Sequence, residues 1–291
     1  MRVFLSILAL VCAAGCSTTS STPTRNGAQH TEAIPSLVRH NDSAELDSIV
    51  RLVVADPTVR AHQGMSALAL GNRIYVLIYE AQGATPKPAT ISDEQLRSGL
   101  LAYPWSFVSG PWIFRFGRSG RDDSKPLDTV RIYLNLMPDN TVLAVDRLTT
   151  DLNRAHLKFI LKVADTVAEL QRSSSAVLYV DRSDYRIARR AAAATSKALP
   201  GAFADFCVQL TKRITRGVSA ADQPDAAFAP KTRPQHSFGT FVSDVLAETL
   251  LALPTNAPPA SVVAEARQRF RADGVDPDRL YLRRGHTLDD L

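Results

Sequence analysis

The sequence predicts an α+β fold: a mixed β-sheet with helices packed against it, forming a single domain behind a flexible tether. Three observations predict it. Residues 130–136, VRIYLNL, and residues 157–163, LKFILKV, both alternate with period two, as strands with unlike faces do. Between them, Val142, Val145, Leu148 and Leu152 recur on one helical stripe over about 140–154. A further strand, AVLYV at 176–180, precedes a helix from about 183 to 198, giving a β-α-β-β-α order.

The chain opens with MRVFLSILALVCAAGCSTTSS, which has the layout of a secretory signal: Arg2, an apolar run from Val3 to Ala14, and small residues before Cys16. That run is too short to cross a bilayer as a mature helix. AAGC at 13–16 resembles a bacterial lipobox, which implies cleavage before Cys16 and lipidation of that cysteine with a diacylglycerol thioether and an N-acyl chain such as palmitate. Several buried acyl chains suffice for stable anchoring. Ser17 and Thr18 carry no aspartate-type retention signal. The expected address is therefore the bacterial cell envelope, lipid-anchored in the outer membrane and facing the periplasm.

Residues 1–15 thus read as the signal peptide and 16–35 as a lipidated tether, polar and too poor in apolar residues to offset ordering entropy. Residues 36–291 read as the domain, with an N-terminal helical part at 36–110, a core at 111–253 and a C-terminal helix and tail at 254–291. SAELDSIVRLVVAD (43–56) has helical spacing, Ser43 as a candidate N-cap and Pro57 as a stop. A second helix is expected over about 64–81, closed by Gly83. Residues 83–112 read as a connector with one short helix near 92–101, followed by a strand at WIFRFG (112–117) and a charged loop. Helices are expected again at 237–253 and 261–274.

Hydrophobic residues make up 45% of the 291, enough for a sizeable core, and the net charge of +5 favours an anionic partner over a cationic one. Once Cys12 leaves with the signal and Cys16 takes the lipid, Cys207 is the one remaining cysteine, so the mature domain has no internal disulfide. Six scattered histidines give no zinc spacing, and no serine triad motif, P-loop or dinucleotide fingerprint is present. Neither metal nor cofactor is expected.

The polar faces of the two alternating strands are the candidate site. Arg131, Tyr133 and Asn135 lie on one, Lys158 and Lys162 on the other. If both strands share a sheet, these donors gather on one surface and suit a phosphate or similar oxyanion. The alternative is a plain solvated face, since lysines there keep strands soluble and suppress edge pairing.

RIYLNLMPD, LTTDLNRAHLKFILKV, AVLYVDRSDY, SFGT and LAETL, in this order over 130–253, resemble the HopA-like family of type III effectors, with weaker similarity at RIYVLIYEAQG (73–83). The resemblance implies an α+β fold and, as for some bacterial relatives in peptide modification, a phosphoserine or phosphothreonine lyase role. It further implies Lys162 as base or phosphate contact, Arg131 and Lys212 as anion holders, and Tyr133 and Asn135 as orienting groups. β-Elimination needs such a set: a base for the α-proton and cations for the departing phosphate. After SFGT this chain has Phe241, Val242 and Ser243 where relatives carry cations, and His236 is the candidate to replace the lost acid or cation.

Three functions follow as expectations: a lipoprotein binding an anionic, phosphorylated peptide or protein ligand; a phosphopeptide lyase; or a periplasmic inhibitor or immunity lipoprotein. Arg182, Arg186, Arg189 and Arg190 lie close on one predicted helix, as a solvated face or a contact for lipid head groups or an acidic partner. They are not interleaved with the series of aromatic residues that would suggest a single-stranded nucleic-acid platform, so nucleic acid is not an expected partner.

Overall fold

The computed structural model describes residues 42–80, 86–119, 128–223 and 237–288. Cys16, His30, Gly83 and His236 lie outside them, as does the side chain of Ser43. Seven strands form one sheet: β1 (Ser106–Ser109), β2 (Trp112–Phe116), β3 (Thr129–Leu134), β4 (Phe159–Ala164), β5 (Ala176–Asp181), β6 (Lys212–Thr215) and β7 (Val218–Asp222). Their order in space is β1-β2-β4-β5-β3-β7-β6, and every pairing is antiparallel. The expected α+β class is observed, but the sheet is antiparallel throughout instead of mixed. The reason is β5. It inserts between β3 and β4, which run parallel to one another without touching.

The helices are α1 (Asp42–Ala55), α2 (Pro57–Arg60), α3 (Ala67–Tyr75), α4 (Asp93–Leu101), α5 (Thr141–Arg154), α6 (Val167–Leu170), α7 (Tyr185–Ala198), α8 (Phe238–Ala252) and α9 (Pro259–Ala272). Side-chain caps set several of their starts. Ser92 forms a capping box with Gln95 ahead of α4, Ser66 accepts from Ala69 N ahead of α3, and Ser237 accepts from Thr240 N ahead of α8. The helix expected over 64–81 therefore begins at Ala67, and its last turn, Val76–Glu80, widens into a π-helix.

α5 ends where His156 takes a left-handed conformation, φ 56°. Leu157 N then reaches back to Leu152 O and His156 N to Asn153 O, both at 3.0 Å, the pair of bonds of a Schellman cap. Leu157, expected to open β4, is used to close the helix, and the strand starts at Phe159.

One face of the sheet is apolar. Cross-strand partners share a face, so Val130, Ile132 and Leu134 line up with Val180, Leu178 and Ala176 on β5 and with Asp222, Ala220 and Val218 on β7. Val145, Leu148 and Leu152 of α5 and Ala188 and Ala192 of α7 belong to the same core, each at most 1% exposed. The other face is covered in part: Tyr75 and Tyr79, from α3 and its π turn, lie near Tyr133 on β3 and pack against Gly239 at the start of α8.

The connector expected at 83–112 is pinned to the core. Backbone N–H groups of Thr90 and Ile91 donate to the Asp139 carboxylate at 2.7 and 2.9 Å. Lys87, 6% exposed, donates from Nζ to Leu170 O at 2.5 Å and Arg172 O at 2.9 Å, at the C-terminal end of α6 and just past it. Burial pushes this amine down to about 7. Its unfolded counterpart stays near 10.5, so above pH 7 the unfolded chain holds the extra proton and stability rises with pH. Between pH 7 and about 8.5, the unfolding free energy is expected to climb by up to ~1.4 kcal/mol per pH unit, measured by guanidinium denaturation. The climb should vanish in Lys87→Met; a flat profile in the native chain would refute the assignment.

Candidate functional site

Register decides which of the expected site residues meet. Along one row across the sheet, Phe107, Phe114, Lys162, Val177, Tyr133, Ser219 and Arg213 are successive cross-strand partners. The neighbouring row runs Phe116, Ile160, Tyr179, Arg131, Ala221. Arg131, Tyr133 and Lys162 therefore share a face. Lys158, two residues before Ile160, keeps the same phase, and its charge reaches Asp184.

Lys212 does not join them. It pairs with Ala220, which pairs with Ile132, so it lies on the opposite, helix-packed face. The anion-holding role that the resemblance gave Lys212 is corrected on this ground. Its face follows from the pairing of β6 with β7, which the local sequence LTKR does not reveal. Lys162 and Arg131 stand two strands apart and one step along the diagonal, about 12 Å between Cα atoms from strand geometry.

The polar face of β3 is not solvated. Arg131 is 3% exposed, Tyr133 6% and Asn135 1%. Arg131 donates from Nε to Gln223 Oε1 at 2.7 Å, and its guanidinium lies 5.1 Å from the centre of the Tyr179 ring. Burial raises the Tyr133 phenol above its ordinary value, with the positive charge of Arg131 opposing the shift, although no bond of good geometry joins the two side chains. Burial likewise raises Tyr79, with Tyr133 contributing. Asn135 Nδ2 donates to Phe206 O at 3.0 Å, while Asn135 Oδ1, the hydroxyls of Tyr79 and Tyr133, and Ser219 Oγ are buried with no hydrogen-bond partner among the described residues. Such groups cost about 1–3 kcal/mol each when left unpaired.

Toward β1 the same face opens. Lys162 is half-buried, its ammonium 3.8 Å from the centre of the Trp112 ring, and Lys158 is exposed. Phe107 stacks on Phe114 and Phe116 at 5.2 and 5.5 Å. Trp112, Tyr179 and Gln223 were not singled out from the sequence. For Trp112 and Tyr179 a signal existed, since alternation in WIFRFG and AVLYV puts them opposite Ile113 and Leu178. Which cation each would meet depends on register.

Arg182 is not a solvated side chain. It precedes α7 in a 3-10 turn and donates from Nε to Asp128 Oδ2 at 2.9 Å and from Nη2 to Asp222. Arg283 closes the ring, with Nη2 on Asp128 and its backbone N on Asp222 Oδ2 at 2.9 Å, while His286 Nδ1 donates to the same oxygen at 3.2 Å. The network straps the C-terminal tail to the end of β7, beside the Gln223 that holds Arg131. Asp128, Asp222 and Arg283 are scattered in sequence, so no local motif announces it.

Residues 108–282 match the model of the HopA1 effector protein family. Among solved structures, the chain is similar to an effector protein from Pseudomonas syringae pv. tomato strain DC3000, with TM-score 0.59 and 13% identity over 84% of this chain and 99% of that one. It is also similar to an effector protein from Pseudomonas syringae pv. syringae strain 61, with TM-score 0.56 and 14% identity over 84% of this chain and 97% of that one. At such identities the likeness shows the fold alone. No curated protein sequence matches the chain.

Asp222 is 3% exposed and bonds to three partners, so neutralising it leaves the buried ends of Arg182 and Arg283 to share Asp128 alone. Asp222→Asn is expected to cost about 3–5 kcal/mol of stability by chemical denaturation. A loss below about 1 kcal/mol would mean that the network is screened like a surface pair.

Proposed function

The chain belongs to the HopA1 effector protein family, and from that premise we propose that it is a binding protein whose β3–β5–β4 face takes an anionic, phosphorylated peptide or protein segment. The observation that carries this reading is Arg131. A guanidinium buried to 3% exposure, oriented by Gln223 and stacked on Tyr179, loses little freedom on binding an oxyanion and meets it where water screens poorly. Lys162 and Lys158 supply further charge on the open side of the same face, and the aromatic residues around Lys162 offer apolar area for the rest of the peptide.

β-Elimination would use the same phosphate contacts but asks Lys162 to take a proton. The Trp112 ring attracts the charged ammonium, the form that holds an anion, so the geometry favours binding over elimination. We further propose that the domain is tethered to the envelope through lipidated Cys16, in line with the AAGC segment and the polar stretch that follows it.

A phosphothreonine peptide is expected to bind in calorimetry, its unphosphorylated form at least about tenfold more weakly, with Arg131→Gln losing about tenfold and Lys162→Ala less. Equal affinity for both peptides would end the reading. Loss of phosphoric acid from the peptide, seen by mass spectrometry and abolished by Lys162→Ala, would replace it with the lyase. Separately, Cys16→Ser should move the protein from the membrane fraction to the soluble fraction; retention in the membrane would refute the anchor.

A further inference from the structure

A second polar recess lies on the opposite side of the sheet. Between Ala102–Pro104 and the C-terminal half of α5 is a cleft of about 500 Å³, lined on the helix side by Asp146, Thr149, Thr150 and Asn153. These four recur at helical spacing and form one stripe. On the other side lies Arg115, on the sheet face opposite Phe114 and Lys162, and fully buried.

Arg115 is held from three directions. Nε and Nη2 donate to Leu100 O at 3.0 and 2.7 Å, Nη2 also donates to Gly99 O at 3.2 Å, and Nη1 donates to Asp146 Oδ1 at 2.5 Å. Its guanidinium lies over the Tyr103 ring at 5.2 Å. These bonds use four of the five guanidinium N–H groups and leave one on Nη1 without an acceptor among the described residues. Thr149 is 2% exposed, and its hydroxyl has no partner there either. Arg118 is exposed at the cleft, its backbone N bonded to Asn153 Oδ1 at 2.8 Å, and its side chain makes no ion pair among the described residues. Arg154, also on the lining, pairs with Asp151 at 2.9 Å.

We propose that this cleft binds the phosphate group of a small phosphorylated molecule. The lining brings together the guanidinium of Arg118, that of Arg154 beside Asp151, the remaining N–H of Arg115 and the hydroxyls of Thr149 and Thr150, donors of the kind a phosphate accepts from. Asp146 is the one carboxylate on the lining; it is half-exposed and already paired with Arg115. The volume exceeds that of a bare phosphate and falls in the range of small-molecule sites, with Ala102 and Pro104 as an apolar wall.

The test is calorimetric titration of the purified full-length chain with ribose 5-phosphate, inorganic phosphate and ribose. Ribose 5-phosphate should bind saturably, inorganic phosphate about tenfold more weakly, and ribose not at all. Arg118→Ala, an exposed substitution, should lose about tenfold and Thr149→Val a smaller factor, while Arg131→Gln leaves the affinity unchanged. No saturable binding of ribose 5-phosphate, or an Arg118→Ala affinity equal to that of the native chain, would overturn the site. Loss in Arg131→Gln would place the phosphate on the sheet face instead. Equal affinity for inorganic phosphate would overturn the assignment to a phosphorylated molecule.

Discussion

The register of β3 between β5 and β7 is the constraint on which the rest of this structure depends. Slipping it by one residue would carry Ile132 and Leu134 out of the core and swing Arg131 and Tyr133 into it. Held as it is, it completes the apolar face under α5 and α7 and puts one guanidinium under a tyrosine ring on the other face. The Arg182–Asp128–Arg283–Asp222 network secures one end of this pairing, since Asp222 lies opposite Val130.

The polar face of β3 is expensive to bury. Arginine, asparagine and tyrosine on a central strand, with several oxygens unpaired, lower stability relative to an apolar face of the same shape. Natural proteins keep such groups where orientation matters more than stability. The π turn that places Tyr79 near Tyr133, and the close approach of Gly239 to both Tyr75 and Tyr79, belong to the same region. A Cβ at Gly239 would come within 3.0 Å of both rings, so the helix start is as closely fitted as the strand.

Arginines on the two faces are handled in contrasting ways. Arg115 is tied to two backbone carbonyls and a carboxylate and joins α4, α5 and β2, a structural role that leaves one N–H over. Arg131 donates to a neutral amide and lies against an aromatic ring, and both help to fix its direction.

Local pattern in the sequence by itself determined the class, the alternation of β3 and β4 and the stripe on α5, because each depends on residues a few positions apart. It also placed Arg131, Tyr133 and Lys162 on the polar sides of their strands. Only the tertiary structure decided that β5 would separate β3 from β4, that Lys212 would face the helices, and that the polar side of β3 would be covered instead of solvated. Strand order, phase at the sheet edge and the covering layer are set by pairings between residues far apart along the chain, such as Arg131 with Gln223 and Arg283 with Asp128, and no short window of sequence contains both partners.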